Sequence, residues 1–327
     1  MPQRPLVAIL SLKDSPHAEP EARVESDIIG DAAEVRTFPV HGRTGPADFP
    51  PDALGATAVI LWHSLQVDSA LIGRLTRCRA LIRNGVGFDS VDIKAAAARG
   101  LPVCNVPDYG TEEVADHAIA LTLALCRSLF SLDAEAKRLG WRIEAATRIH
   151  RLSTQTFGVV GLGRIGTAAA LRAKALGFRV LFHDPFVPSG AHKAVGVERA
   201  ATLDELLRRS DVVSIHCPLS AETRGLIGER ELALMKPAAY LVNTARGDIV
   251  RKAAVFAALR AGRLGGAGLD VVEDEPLRTP EEAATPNLIV TCHAAFCSVE
   301  ALAEMRSTSA RIARAAVLGQ PVWNRVN

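Results

Sequence analysis

The sequence predicts an α/β fold made of two doubly wound parallel-sheet domains. Short apolar segments with strand composition alternate with helical segments along the chain, which indicates parallel strands joined by helices. A glycine-rich turn at Gly161–Gly166 stands between one such strand and one such helix. The 327 residues are enough for two domains with separate cores.

The first domain is predicted to cover residues 1–108 together with 299–327. Its strands are predicted at 6–12, 35–40, 57–62, 80–83 and 102–106, and its helices at 19–30, 68–76 and 93–99. Asp92 is placed to cap the third helix and Gly100 to end it. The Pro-, Gly- and Asp-rich segment 41–53 is predicted as a loop, and the final helix, 299–318, is expected to return to this domain.

The second domain is predicted to cover 109–298. A long helix is expected from Thr111 to about Leu129, and it is apolar nearly all round, which indicates burial between domains or between subunits. Strands follow at 157–160, 178–183, 212–215, 240–242 and 288–290, and a further strand closes with Gly268 and Leu269; helices are predicted at 168–176, 202–209 and 252–260.

The glycine turn has the spacing G-x-G-x-x-G. Gly161 permits the tight turn, Gly163 lets the backbone approach a pyrophosphate, and Gly166 lets the helix lie close to the strand. The start of the helix offers unpaired N–H groups and a partial positive charge to phosphates. A glycine-rich turn without a ligand is the alternative, but the strand, the helix and a following acid all favour a Rossmann dinucleotide site.

That acid is Asp184, which lies 18 residues after Gly166 and ends the second strand of the domain. A carboxylate at this position accepts hydrogen bonds from the ribose hydroxyls and repels a 2′-phosphate. Pro185 and Phe186 follow it, so no Arg is placed here to bind a phosphate. The sequence therefore predicts NAD rather than NADP as cofactor.

Composition limits the other functional classes. The net charge of +2 gives no electrostatic argument for a nucleic-acid partner or an anionic membrane surface. No signal-peptide pattern and no apolar run of about 18 residues is present, so no membrane segment is predicted. The six cysteines lie in or beside apolar runs without C-x-x-C spacing, which indicates buried thiols in a reducing cytoplasm. No metal-ligand spacing occurs, so no metal is expected.

Polar side chains follow several strands of the second domain. They are Asp184, His216, Arg246, Asp270 and His293. Each alone is explained as a loop residue. In open parallel sheets ligands bind beyond the carboxyl ends of the strands, so together these residues indicate a shared crevice.

Hydride transfer to a nicotinamide requires a group that accepts the hydroxyl proton, and His293 is the candidate. A guanidinium grips a carboxylate through two bonds, and Arg246 suits that task. Glu275 is placed to orient the His293 ring and to stabilise its imidazolium form.

These residues resemble the D-isomer-specific 2-hydroxyacid dehydrogenases over nearly the whole chain. The segments Asn243–Gly247, Leu269–Pro276 and Asn287–His293 match the Arg, Glu and His signatures of that family in order. Within it, the chain resembles the C-terminal-binding protein branch. The matching segments are Arg83–Asp92, Cys104–Pro107, Val180–Phe186, His293–Phe296 and Asn324–Asn327.

The resemblance implies a catalytic set of Arg246, Glu275 and His293, a Rossmann domain inserted in a flavodoxin-like substrate domain, and a homodimer built partly on the helix after Thr111. It implies cofactor contacts along the strand ends, with Asp270 bonding the nicotinamide amide. The cofactor set is Val160, Gly161, Leu162, Gly163, Arg164, Ile165, Gly166, Asp184, His216, Cys217, Pro218, Thr223, Thr244, Ala245, Arg246, Asp270 and His293. The substrate set is Arg83, Gly85, Val86, Arg246, His293 and Phe296. For Arg83 a structural ion pair is the alternative.

Three positions depart from the family's usual pattern. Cys292 stands where a Pro normally precedes the catalytic His, and Phe296 stands where the branch carries Trp. Arg251 replaces an acid at the start of a helix, so this helix start is expected to lose a cap and to gain an unfavourable positive charge. The substrate acid, the direction of reaction and any partner protein stay undetermined by sequence.

Two functions therefore remain. The first is an NAD-dependent dehydrogenase or reductase of a small 2-hydroxy or 2-oxo acid, which the intact Arg246, Glu275 and His293 set favours. The second is an NAD(H)-sensing binding module similar to the corepressors of the C-terminal-binding protein branch. Turnover of a 2-oxo acid with NADH distinguishes them.

Overall fold

The chain divides into two compact units. In the computed structural model one unit comprises Met1–Gly110 with Ser298–Asn327, and the other comprises Thr111–Cys297. The structure describes residues 4–12, 22–40, 45–62, 65–146 and 149–327. Each unit contains one parallel sheet with helices on both faces, which confirms the predicted fold class.

The first unit has five parallel strands in the order β2-β1-β3-β4-β5, which is the flavodoxin-like order. The strands are β1 (Leu6–Leu12), β2 (Glu34–Val40), β3 (Ala58–Leu61), β4 (Ala80–Arg83) and β5 (Val103–Cys104), and the helices are α1 (Arg23–Ile29), α2 (Ser69–Arg74) and α3 (Ile93–Ala98). Side chains alternate across the sheet, since Ala8 and Leu10 enter one core cluster and Val7 and Ile9 the other.

Several boundaries in this unit differ from prediction. The strand expected at 102–106 is reduced to β5, and the segment expected as a loop at 41–53 contains short 3₁₀ turns at Pro46–Asp48 and Pro51–Gly55. Residues 41–44 of that loop and the start of the helix expected at 19–30 lie outside the described residues. Asp92 caps α3 as predicted, since its Oδ1 accepts a bond of 2.9 Å from the N–H of Ala95.

The second unit has seven parallel strands in the order β12-β11-β10-β9-β6-β7-β8, the Rossmann order with one added strand. The strands are β6 (Thr156–Val160), β7 (Arg179–His183), β8 (Glu198–Arg199), β9 (Val212–Ile215), β10 (Tyr240–Asn243), β11 (Gly266–Leu269) and β12 (Leu288–Val290). The helices are α4 (Thr111–Cys126), α5 (Leu129–Lys137), α6 (Arg164–Ala175), α7 (Ala191–Val195), α8 (Leu203–Arg209), α9 (Glu229–Leu234), α10 (Lys252–Arg260) and α11 (Pro280–Ala283). The short elements β8, α7, α9 and α11 were not predicted.

The long helix after Gly110 ends earlier than predicted. Ser128 adopts a left-handed φ of 52°, which breaks the helix and starts α5. The apolar side chains of α4 are buried within the core of the second unit. A Cβ atom on Gly268 of β11 would lie 3.0 Å from the Cβ of Leu121, so the helix lies close to this strand. The apolar side chains of α4 are buried as predicted, and the core that buries them is that of its own unit.

After Ser298 the chain returns to the first unit as α12 (Val299–Val317). The Ser298 hydroxyl caps this helix by accepting a bond of 2.9 Å from the N–H of Ala301. Arg306 forms two buried bonds of 2.8 and 2.7 Å to the carboxylate of Glu25 on α1. Of the helices in the described ranges, none is individually long and apolar enough to cross a membrane; α4 and α5 together meet that criterion by length and composition, bent by 60°.

Candidate active site

The register of the second sheet aligns the carboxyl ends of six strands. Val160, His183, Ile215, Asn243, Leu269 and Val290 are paired neighbours in one row across the sheet. The residues that follow them therefore form the next row: Gly161, Asp184, His216, Thr244, Asp270 and Thr291. Five of these six, all except Thr291, belong to the predicted cofactor set, and the parallel pairing of the strands brings them to one edge of the sheet.

The glycine turn lies at the first position of this row. A Cβ atom on Gly161 would lie 2.7 Å from the backbone nitrogen of Cys217, and one on Gly166 would lie 2.0 Å from the carbonyl oxygen of Gly161. These two positions accept only glycine because backbone atoms occupy the space. A Cβ atom on Gly163 would meet nothing within 4 Å. Gly163 therefore faces open space at the start of α6, where a phosphate group fits.

Asp184 connects the end of β7 to the glycine turn. Its carboxylate accepts bonds of 2.8 Å from the N–H of Leu162 and 2.9 Å from the N–H of Phe186. These contacts hold the carboxylate beside the turn, and each oxygen retains a lone pair for a further donor.

An arginine from further along the chain lies near this turn. Arg199 of β8 donates bonds of 2.8 and 2.6 Å to the carbonyl oxygens of Asp184 and Val187, and its guanidinium lies 5.4 Å from the ring centroid of Phe182. Sequence reasoning missed Arg199 because it lies 15 residues after Asp184 on an unpredicted strand. It supports the backbone of the turn, and ribose binding by the Asp184 carboxylate stays a prediction.

Two buried polar atoms at the strand ends have no hydrogen-bond partner among the described residues, namely Nδ1 of His216 and Oγ1 of Thr244. The other ring nitrogen of His216 lies 2.8 Å from the hydroxyl of Ser214. Loss of water around the ring lowers the pKa of His216 to about 4, so the ring is neutral at physiological pH. Buried polar atoms of this kind normally have a partner, and a bound nucleotide would supply one.

The turn after His216 is closed by its own side chains. The hydroxyl of Thr223 donates a bond of 2.7 Å to the carbonyl of Pro218 and accepts one of 2.8 Å from the N–H of Ser220. The turn therefore has a defined shape at the edge where Cys217, Pro218 and Thr223 are predicted to line the cofactor.

Arg246 lies in a loop that is held from two sides. Asn243 donates a bond of 2.8 Å to the carbonyl of Arg246 and accepts one of 3.0 Å from the N–H of Ala245. A Cβ atom on Gly247 would lie 2.0 Å from the carbonyl oxygen of Val272. This loop therefore packs directly on the chain that leads to Glu275.

His293 and Glu275 form the predicted pair. Nδ1 of His293 lies 3.1 Å from Oε2 of Glu275, and the two side chains are 23% and 25% exposed. A carboxylate only accepts, so Nδ1 carries a hydrogen and the contact with Glu275 fixes the tautomer of the ring. The ring of Phe296 lies edge-on to His293, with centroids 6.5 Å apart.

Asp270 is buried and holds the backbone around His293. Its carbonyl oxygen accepts a bond of 2.9 Å from the N–H of His293. Its carboxylate accepts bonds of 2.9 and 3.0 Å from the N–H groups of Ala294 and Ala295 and one of 2.5 Å from the hydroxyl of Thr291. Sequence reasoning assigned Asp270 to the cofactor and missed this structural role.

Arg83, Gly85 and Val86 belong to the first unit and form a turn after β4. Arg83 is buried, and its guanidinium donates to the carbonyl of Asn84. Gly85 has a φ of +139°, and Asn105 donates a bond of 2.7 Å to the carbonyl of Val86. These two hydrogen bonds fix the shape of the turn, and its contact with substrate stays a prediction.

The structure explains one departure from the family's pattern. Arg251 donates a bond of 3.0 Å to Glu273, and the same carboxylate accepts a bond of 3.2 Å from the N–H of Lys252 at the start of α10. Glu273 therefore supplies both the missing cap and the negative charge. The expected loss of a cap is wrong, because the cap comes from the chain that follows β11 rather than from the helix itself.

The cysteines are divided into two groups. Burial raises the pKa of Cys78 and Cys126 to about 12, and that of Cys104 and Cys217 to about 11. Cys292 and Cys297 are exposed on either side of His293, so the prediction of six buried thiols is wrong for these two. Within the described ranges no group of three or more His, Cys, Asp or Glu residues is arranged to hold a metal ion.

Comparison with known proteins gives consistent matches. The family described as D-isomer specific 2-hydroxyacid dehydrogenase, NAD binding domain, matches residues 119–295. C-terminal-binding protein 1 of Caenorhabditis elegans is 33% identical over 332 residues, covering 97% of this chain and 44% of that protein. D-3-phosphoglycerate dehydrogenase of Mycobacterium leprae is 35% identical over 299 residues, covering 91% and 56%. The chain spans about half the length of these two relatives.

Solved structures are similar over the whole chain. D-lactate dehydrogenase from Aquifex aeolicus, complexed with NAD and lactic acid, is 29% identical with a TM-score of 0.84 and covers 96% of both chains. A glyoxylate reductase from Paecilomyes thermophila is 28% identical with a TM-score of 0.86, covering 100% of this chain and 99% of that one. NADPH-dependent glyoxylate/hydroxypyruvate reductase from Sinorhizobium meliloti, in complex with NADP and malonate, is 28% identical with a TM-score of 0.83, covering 99% and 97%.

Proposed function

Because the chain belongs to the D-isomer-specific 2-hydroxyacid dehydrogenases, we propose that it interconverts a small 2-oxo acid and the corresponding (R)-2-hydroxy acid with NAD(H). The observation that carries this proposal is the contact of 3.1 Å between His293 and Glu275. Glu275 follows β11 and His293 follows β12, which are neighbouring strands. The same sheet carries the glycine turn and Asp184, which are predicted to bind NAD.

Bound NADH supplies the hydride that is added to C2 of the 2-oxo acid. In this direction His293 donates the proton on Nε2 to the carbonyl oxygen, and Glu275 stabilises the imidazolium through Nδ1–H. Arg246 binds the substrate carboxylate and polarises the carbonyl. In the reverse direction His293 accepts the hydroxyl proton.

The first test is NADH oxidation against glyoxylate, hydroxypyruvate, pyruvate, 4-methylthio-2-oxobutyrate and phenylpyruvate. His293→Asn removes the proton donor, so kcat is expected to fall by about 10²–10⁴-fold. Glu275→Gln keeps a polar partner for Nδ1 but removes the charge, and it is expected to lose less activity than His293→Asn. Equal turnover by wild type and His293→Asn would contradict the proposed role.

The second candidate function is an NAD(H)-sensing binding module, which the similarity to C-terminal-binding protein 1 of Caenorhabditis elegans favours. Tight NADH binding without turnover on any acid of the panel, together with stoichiometric NADH-dependent capture of a partner protein, would support it. The His293–Glu275 pair favours the enzyme, since binding alone does not require a proton donor.

A homodimer is part of the proposal. Leu139, Trp141 and Ile143, which follow α5, are 97%, 93% and 77% exposed. Apolar side chains clustered in this way are typical of a surface that a second protein covers, and a second copy of the chain is the proposed occupant. A cytoplasmic location is also proposed, supported by six cysteines outside any disulfide.

A further inference from the structure

A histidine outside the predicted site is linked to it by two hydrogen bonds. Nε2 of His117, on α4, lies 2.9 Å from the hydroxyl oxygen of Thr291, the residue after β12. That hydroxyl lies 2.5 Å from Oδ1 of Asp270, the residue after β11. The side chain of His117 is 26% exposed and that of Asp270 is 1% exposed. Three elements of the second unit thus meet at one chain of polar atoms.

The direction of this chain follows from the Asp270 carboxylate. Each of its oxygens accepts a backbone N–H group, Oδ1 from Ala294 and Oδ2 from Ala295. An ionised carboxylate only accepts, so the hydroxyl of Thr291 donates its single hydrogen to Asp270. The Thr291 oxygen must then accept from His117, which requires a hydrogen on Nε2 of that ring.

The series of hydrogen bonds that begins at His117 ends at the backbone of His293. This residue has a φ of 53°, a left-handed conformation that is uncommon for residues other than glycine. Asp270 holds it there through its carbonyl oxygen, which accepts from the N–H of His293, and through its carboxylate, which accepts from the next two N–H groups. Asp270 therefore holds the backbone segment from which the His293 ring projects.

We propose that His117 is a positioning residue, which fixes Asp270 through Thr291 and thereby holds the His293 loop in its left-handed conformation. The effect on turnover rests on the proposed function. His117 acts through Asp270 and orients the proton donor before substrate binds, so its loss slows the chemical step more than it weakens substrate binding.

Paired substitutions at His117 distinguish the effect of losing the hydrogen bond from the effect of losing the ring. His117→Phe keeps a planar ring and removes the donor, whereas His117→Gln presents an amide N–H close to the position of Nε2. His117→Phe is expected to lower kcat by about tenfold or more with a smaller change in KM, and His117→Gln to restore much of it. At Thr291 the matching pair is Thr291→Val, which removes the hydroxyl, and Thr291→Ser, which keeps it.

The double variant His117→Phe/Thr291→Val tests whether the two residues act as one unit. It is expected to lose about as much kcat as the worse single variant, because either change breaks the same chain. Asp116→Asn is the matched control on α4, since Asp116 is exposed and pairs with Arg172. Its kcat is expected to equal that of wild type.

A second readout does not depend on turnover. Nitrogen-15 NMR of labelled histidines in the wild-type protein should show His117 with its hydrogen on Nε2, and His117→Phe should shift the ring signals of His293. A neutral His117 with its hydrogen on Nδ1, unchanged His293 signals, or equal losses in His117→Phe and His117→Gln would overturn the proposal. If the wild-type protein binds NADH but reduces no acid, the proposed function is refuted. The NMR result then still decides whether His117 positions the His293 loop. If His117→Phe does not fold, Thr291→Val provides the same test.

Discussion

Two exposed thiols border the proposed proton donor. Cys292 immediately precedes His293, and Cys297 follows it by four residues, whereas burial raises the pKa of Cys78, Cys104, Cys126 and Cys217. A thiolate, not a thiol, reacts with alkylating agents. The chemical reactivity of the cysteines is thus concentrated beside the site.

We expect iodoacetamide at neutral pH to label Cys292 and Cys297 well before the other four cysteines. Peptide mass spectrometry over a time course measures this order directly. Labelling is also expected to reduce turnover, and Cys292→Ser/Cys297→Ser is the control that should be insensitive to the reagent. Early labelling of Cys217 would contradict the enclosed environment assigned to that thiol.

His216 makes the stability of the fold depend on pH. Its pKa is lowered from 6.5 to about 4 in the folded protein. Above pH 6.5 the ring is neutral in both states and adds no pH dependence. Between pH 6.5 and about 4 the unfolded chain binds a proton that the folded chain does not, so the free energy of unfolding falls as pH falls.

The expected slope from this one group is at most about 1.4 kcal/mol per pH unit. Urea unfolding at several pH values between 4 and 7.5, compared with His216→Asn, measures it, and the variant should show a shallower fall. His150→Asn changes an exposed ring and should leave the slope unaltered. An equal slope in His216→Asn and wild type would show that other groups dominate.

At the scale of elements, α10 depends on a cap from another part of the chain. Glu273 accepts from the N–H of Lys252 and pairs with Arg251, and no side chain within the helix caps it. Glu273→Ala is expected to destabilise the protein by about 1 kcal/mol in chemical denaturation, because both the cap and the charge are lost. Arg251→Gln removes only the ion pair and should cost less, about 0–1 kcal/mol. Equal losses in the two variants would assign the effect to the ion pair.

At the scale of the whole molecule, the exposed apolar segment after α5 bears on assembly. Trp141→Glu places a charge in the proposed dimer surface and is expected to shift the protein from dimer to monomer in sedimentation velocity experiments. Val299→Glu changes another exposed apolar side chain, 82% accessible on α12, and should leave the dimer intact. A wild-type protein that sediments as a monomer would remove the dimer from the proposal.

Much of the fold was predictable because its signals are local. The glycine turn, the strand ends and the cap of α3 by Asp92 depend on residues close together in sequence. The break at Ser128 was missed because the helix composition continues through it. Very short elements such as β8 carry too few residues for a periodic pattern.

The parts of the site that sequence missed are tertiary. His117 reaches Thr291 across 174 residues, and Glu273 reaches the start of α10 from the chain beyond β11. Nothing in the local composition around His117 or Arg199 distinguishes them from solvated side chains. Such contacts arise because the order of strands in the sheet brings together residues that are far apart in the sequence.

The Glu273 contact makes the residues at positions 251 and 273 a coupled pair. An acid at position 251 would face the Glu273 carboxylate and repel it, so Arg251→Asp is expected to cost more stability in this chain than Arg251→Gln. The effect of a substitution at either position therefore depends on which residue occupies the other.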